Sequence, residues 1–252
     1  MIQRVVNKLL QFYCQTKVVN GPILKKIGST YAGWMIPTDY LQPGAICILA
    51  GAGEDISFDV ELAHSYNSEV FTLDPTPRAI THYNNIVDAT LSGMKMPINN
   101  NQSIHYDISP GDLNHIQYFN LGLWDEDKEL KFYTPKDPSH VSHSIQNHQD
   151  TKEYFIGKVT RLSKFCKDIG IDSIDILKLD IEGAEYKVIE SIIKDNMDVK
   201  IICIEYEEIH NPLSINYWLR ILKSISLLTK TGYSIIYLDS RFEFTFIKNT
   251  IL

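Results

Sequence analysis

The sequence predicts a doubly wound α/β fold: a mostly parallel seven-stranded sheet with helices on both faces and a C-terminal antiparallel hairpin. Three features lead there. From Ala45 onward, short β-branched runs alternate with helical patterns, the order that builds parallel strands through crossover helices. One run passes directly into the small-residue turn Gly51-Ala52-Gly53 and then a helix. Near the C-terminal end two strand-like runs are separated only by Asp239–Phe242, a connection that permits a hairpin and forbids a crossover helix.

The segment Met1–Asn20 places Ile2, Val5, Val6, Leu9 and Tyr13 at helical spacing, with Arg4 and Lys8 interrupting any signal-like apolar run. It reads as an accessory helix, with a peripheral membrane contact as the alternative. Residues 1–43 are then a lead-in to one domain over 44–252. Core strands are expected at Ile46–Ala50, Val70–Leu73, Ile116–Asn120, Ile174–Leu179 and Lys200–Glu205. Ile56–Tyr66 and Pro77–Val87 are expected helices, and Leu162, Phe165, Cys166 and Ile169 mark the apolar stripe of another ending at Gly170. Glu185–Lys194 and Leu213–Ser224 supply two more, and Tyr233–Leu238 and Glu243–Lys248 form the hairpin. Asn99–Asn101 and Lys136–Asp150 are polar, turn-rich loops.

With 44% apolar and 22% charged residues among 252, the chain can bury a large core. Thirty-one Asp and Glu against 24 Lys and Arg give a formal net charge of −7, which offers no broad basic face to a phosphate backbone. Nucleic acid is therefore not an expected partner. Every long apolar stretch is cut by Lys, Asp or Glu, so no transmembrane segment is expected. Cys14, Cys47, Cys166 and Cys203 form no CxxC pair, which argues against a zinc site or dithiol. Reduced, mostly buried thiols fit a cytoplasmic protein.

Two stretches carry chemistry. At the first strand end, Gly51 and Gly53 let the backbone approach a ligand, and the helix start beyond them is expected to offer unpaired N–H groups to a carboxylate or phosphate. Asp74 follows the second strand, 23 residues after Gly51, where an acidic side chain accepts hydrogen bonds from a ribose. As a turn residue before Pro75 it also has a purely structural reading. The pair points to an adenosine cofactor, with Gly51, Ala52, Gly53, Glu54, Asp74 and Pro75 as candidate contacts.

The second stretch, Asp175–Glu185, delivers Asp180, Glu182 and Glu185 within six residues at the end of the fourth strand. Like charges gathered there are costly unless paired, exposed or used. Asp180 is the first candidate general base. Glu185 reads equally as a first-turn residue favoured by the helix dipole. His210 is the second candidate, because the polar run Glu205–Pro212 follows the fifth strand to the same edge. Leu123 and Trp124, after the third strand, are expected in an adenine pocket, with core packing as the alternative for Trp124. His140, Ser142, His143 and Ser144 are candidate acceptor contacts in a loop that also reads as solvent-exposed. The spacing of Asp180, Glu182 and His210 matches no recognised metal signature, and no obligatory metal is expected.

The run LKLDIEGAE, together with GAGEDISFDVELA and EVFTLDPTPRA, resembles the FkbM-type S-adenosyl-L-methionine-dependent methyltransferases from about Gly44 to Lys248. The resemblance implies a Rossmann-like class I methyltransferase fold, S-adenosyl-L-methionine as cofactor, and O-methylation of a hydroxyl on a saccharide, glycan or small natural product. By position it sets Gly51 and Gly53 beneath the cofactor's methionine part, Asp74 at the ribose, and Asp180 and Glu182 toward methyl group and acceptor. Where family members commonly read DxGANxG, this chain has Leu49 for the Asp, Gly53 for the Asn and Asp55 for the last Gly. Glu54 and Asp55 are the candidates to replace the missing acid. Two other readings stay open: a nicotinamide-dependent oxidoreductase, and a methyltransferase-like binding subunit without turnover. The N-terminal helix and 14 tyrosines leave room for a homodimer.

Overall fold

The computed structural model describes residues 2–99, 101–134 and 151–252. Helix α1 (Ile2–Gln15) precedes a hairpin of β1 (Lys25–Ile27) and β2 (Trp34–Ile36). Then follow β3 (Ile46–Ala50), α2 (Ser57–Tyr66), β4 (Glu69–Leu73), α3 (Pro77–Leu91), a second small hairpin of β5 (Pro97–Ile98) and β6 (Asn101–His105), and β7 (Ile116–Phe119). The middle of the chain adds β8 (Gly122–Trp124), β9 (Lys128–Tyr133), β10 (Tyr154–Arg161) and α4 (Leu162–Ile169). It ends with β11 (Ser173–Leu179), α5 (Glu185–Lys194), β12 (Asp198–Glu205), α6 (Tyr217–Lys230), β13 (Tyr233–Leu238) and β14 (Glu243–Lys248).

Seven strands pair in the order β13-β14-β12-β11-β3-β4-β7. All are parallel except β14, which runs antiparallel between β12 and β13. The chain builds outward from β3 in one direction through β4 and β7, then returns to β11 on its other side. That reversal opens a crevice at the carboxyl ends of β3 and β11, the usual ligand position in such sheets.

The aliphatic runs are buried because each sheet face is covered. One core joins Leu177, Leu179, Ile202 and Ile204 to side chains of α1, α4, α5 and α6. The other joins Cys47, Leu49, Ile176 and Ile201 to α2, α3 and the β1–β2 hairpin. Asp175 fastens the middle of the sheet: it accepts the Ile46 N–H at 2.7 Å and the Lys200 ammonium at 2.6 Å. Helix α4 ends as its sequence indicates, with Gly170 in the left-handed region at φ 76°. All four cysteines are free and buried.

The expected seven strands and terminal hairpin are present, and three details differ. Helix α6 begins at Tyr217, not Leu213, because its buried stripe is Tyr217, Ile221, Ile225 and Leu228 while Leu213 and Ile215 face solvent. Helix α1 ends at Gln15, and it packs through Leu10 and Cys14; Val5, Leu9 and Tyr13 of the expected stripe are exposed. A separate three-stranded sheet, β8-β10-β9, and the two small hairpins have no counterpart in the sequence reading. The hairpin strands and β8 are short, and β9 and β10 are far apart in sequence, on either side of a long polar segment. Among the described residues no helix is long and apolar enough to cross a membrane.

Leu177 is fully buried at the centre of β11. We expect Leu177→Ala to cost about 2–5 kcal/mol, measured as a lower urea midpoint at unchanged slope.

Candidate functional site

The strand ends at the crevice are held close by backbone geometry. Gly51 adopts φ +89°, and a Cβ there would lie 1.8 Å from the Asp180 carbonyl oxygen, so any side chain would force the two loops apart. The Gly51 N–H donates to Leu73 O at 3.0 Å and the Asp180 N–H to Ala50 O at 3.2 Å. Lys178, almost fully buried, donates its ammonium to the Gly51 carbonyl and lies 3.4 Å from the Asp180 carboxylate. Burial pulls the Lys178 pKa down, but Asp180 and Asp59 outweigh it and hold the group above its ordinary value.

Beside this junction lies a cavity lined by the Gly51–Asp55 loop, by Asp74, Pro75 and Thr76, by Gly122, Leu123 and Phe132, by Lys178 and Asp180–Glu182, and by Tyr31. It brings together Gly51, Ala52, Gly53, Glu54, Asp74, Pro75, Leu123, Asp180 and Glu182 of the sequence-derived candidates. Asp180 opens onto the cavity with its side chain 36% exposed while protein surrounds it on the other sides. Burial raises its pKa, against the pull of Lys178. Glu182 has φ 53° and Gly183 φ 100°, two successive left-handed residues of the kind that concentrate at functional loops. Glu185 shapes this bend from beneath, accepting the Gly183 N–H at 2.9 Å and the Ile181 N–H at 3.3 Å. Its other carboxyl oxygen is buried without a partner among the described residues, and burial pushes its pKa up to about 8.

The first loop differs from expectation. Its N–H groups are not free: those of Ala52 and Gly53 donate to one Asp74 oxygen at 2.9 and 3.0 Å, and Thr76 N–H to the other at 2.8 Å. Asp55 accepts the Ser57 N–H at the start of α2 and also bonds Ser29 and Asn99. Glu54 pairs in a fork with Arg78 at 2.9 and 2.7 Å. Both candidates to replace the missing acid are thus engaged in holding structure together.

Trp124 is not brought to the cavity. It lines a second cleft with Gly183, Tyr186 and Arg220. His210 does not line the cavity either; its Nε2 faces Glu205 at 3.3 Å, and that hydrogen bond raises its pKa against the effect of burial. Among the described residues no three His, Cys, Asp or Glu side chains are arranged to hold a metal ion. His140, Ser142, His143 and Ser144 lie outside the described residues. Sequence reasoning missed Lys178, Phe132 and Tyr31. Lys178 stood inside the recognised run but read as a strand residue, and nothing local marks Phe132 or Tyr31, which reach the cavity through the small sheet and the first hairpin.

Strand order, terminal hairpin and a cavity at the switch point define a class I methyltransferase fold. Residues 52–235 match the methyltransferase FkbM domain. The chain belongs to that family, whose members use S-adenosyl-L-methionine. No curated protein matches the sequence. Among solved structures, the methyltransferase FkbM from Methylobacillus flagellatus KT is similar at 14% identity and a TM-score of 0.45, over 82% of this chain and 44% of that one. This chain thus spans less than half of that relative. An rRNA methylase from Streptococcus thermophilus is similar at 13% identity and 0.41, over 84% and 90% of the two chains. Fibrillarin from Aeropyrum pernix, in complex with S-adenosyl-L-methionine, is similar at 10% identity and 0.41, over 82% and 67%. At such scores neither substrates nor residue roles transfer.

Glu185 gives the site a pH signature. Its carboxyl loses a proton near 4.5 when unfolded and near 8 when folded, so between those values the folded chain holds the extra proton and rising pH favours unfolding. We expect the melting temperature to fall from pH 5 to pH 8 and to fall less in Glu185→Gln, whose amide oxygen keeps the loop hydrogen bonds. An equal fall in both would remove Glu185 as a cause.

Proposed function

We propose that the protein methylates a hydroxyl group of a saccharide, glycan or small natural product, using S-adenosyl-L-methionine, with Asp180 as general base. The observation that carries this reading is the Asp180 carboxyl itself, set on the cavity wall against the Gly51 loop and raised in pKa by burial. A carboxylate so raised is a better proton acceptor near neutral pH than an exposed one.

The lining of the cavity supports the cofactor chemically. Gly51 and Gly53 line it without side chains. Leu123 and Phe132 offer apolar walls for an adenine, and Asp74 keeps one lone-pair site, on the oxygen that accepts only the Thr76 N–H, for a ribose hydroxyl. When bound, S-adenosyl-L-methionine supplies a methyl group already activated on a cationic sulfur. The protein's part is to align the acceptor oxygen and receive its proton. In this reading Asp180 serves both ends, supported by its place on the cavity wall, its pairing with Lys178 and the presence of Glu182 at the same opening.

The same charges weigh against a nicotinamide dinucleotide. A diphosphate needs free N–H groups or cations at the glycine loop, whereas Asp74 occupies the N–H groups of Ala52 and Gly53, and Glu54, Asp55 and Glu182 line the cavity. Carboxylates there favour a sulfonium cation.

We expect Asp180→Asn to lower methyl transfer on the order of 10²–10⁴-fold, followed as a mass gain of one CH₂ across a panel of glycosides and sugar nucleotides. Calorimetric affinity for S-adenosylhomocysteine should stay within about threefold. Parallel loss of both would assign Asp180 to cofactor binding.

A further inference from the structure

Helix α1 has two apolar faces, and among the described residues only one is packed against the protein. Toward the protein, Leu10 and Cys14 enter the core, and three polar side chains at helical spacing anchor the helix to backbone. Gln3 and Asn7 each donate to Ile209 O at 3.1 Å, and Gln11 donates to Asp239 O at 3.1 Å. On the outward side Val5, Leu9, Phe12 and Tyr13 are 54%, 65%, 72% and 49% exposed. Exposed singly such residues are ordinary; four on consecutive turns of one helix form a stripe.

The charges that α1 itself places beside this stripe have one sign. Arg4 and Lys8 flank it and are exposed, and Lys17 sits 5.4 Å over the Tyr13 ring. Before Asp39 the chain has Arg4, Lys8, Lys17, Lys25 and Lys26 and no acidic residue, although its net charge is −7. Apolar side chains whose own helix carries only cations match the anionic headgroup layer of a bilayer, where rings and aliphatic chains enter the acyl boundary and the cations stay at the phosphates. A second copy of this chain is the poorer occupant, because a twofold axis through the stripe would double the cations around it with no acid on either helix to pair them.

We propose that α1 docks the protein on anionic membrane surfaces. The anchoring contacts lie in the turn after β12 and the turn between β13 and β14, at the sheet edge that carries Asp180. Docking therefore holds the cavity's edge close to the headgroup layer and favours acceptors presented there. The docking does not depend on the acceptor or on turnover.

The test is co-sedimentation of the full chain with vesicles of phosphatidylcholine alone and of phosphatidylcholine mixed equally with phosphatidylglycerol, at low and high salt. We expect binding to the mixed vesicles at low salt, strong weakening at high salt, and little binding to phosphatidylcholine alone. Arg4→Ala with Lys8→Ala should lower the partition coefficient about 30-fold, from about 1 kcal/mol per cationic side chain. Leu9→Ser with Phe12→Ser should abolish binding at an unchanged melting temperature, since both side chains are exposed. No binding to mixed vesicles, equal binding to both kinds, or concentration-dependent self-association removed by Phe12→Ser in sedimentation velocity would each overturn the proposal.

Discussion

One buried ammonium ties the two halves of the site together. Lys178 reaches from β11 to the Gly51 carbonyl and lies against the Asp180 carboxylate, where little water can replace either partner. An unpaired charge in that position would be costly, so the glycine loop and the end of β11 are fixed relative to each other by the need to keep Lys178 satisfied. The contact between Gly51 and the Asp180 carbonyl leaves no room for a different spacing. Cavity shape and the orientation of the Asp180 carboxyl follow from that junction, while burial raises the Asp180 pKa against the pull of Lys178.

Around it, carboxylates do unlike work according to their surroundings. Asp74 spends its oxygens on the backbone of two loops, Asp55 starts α2, and Glu54 is clamped by Arg78. Glu185 stays beneath the bend it shapes, held toward its neutral form by burial. Asp180 combines a charged partner with an open face. A cluster that looks uniform in composition thus divides into scaffold and reacting group, and the division rests on which oxygens are already bonded.

The sheet was legible because its strands are near-continuous aliphatic runs separated by helix-length spacings, and Asp239–Phe242 is too short for anything but a hairpin. The junction was half legible. Gly51 and Asp180 stood out, whereas Lys178 looked like an interruption in a strand, since its partner Gly51 lies 127 positions away. The small sheet was invisible because β8 and β9 become meaningful only when β10 pairs with both. Trp124 was misplaced for a related reason: its neighbour Leu123 faces the cavity, and on a strand adjacent side chains point to opposite faces. For α1 the sequence showed an apolar periodicity but not which of two apolar faces meets the core, because Gln3, Asn7 and Gln11, which turn inward, are polar.

The central claim is a position in space: the methyl donor's sulfur lies in the cavity that the Gly51 loop and Asp180 both line. A crystal structure with S-adenosylhomocysteine tests it most directly. The account predicts the sulfur facing the Asp180 carboxyl, with the ribose at Asp74 and the adenine between Leu123 and Phe132. A cofactor bound elsewhere, or inverted so that the adenine approaches Asp180, would contradict it.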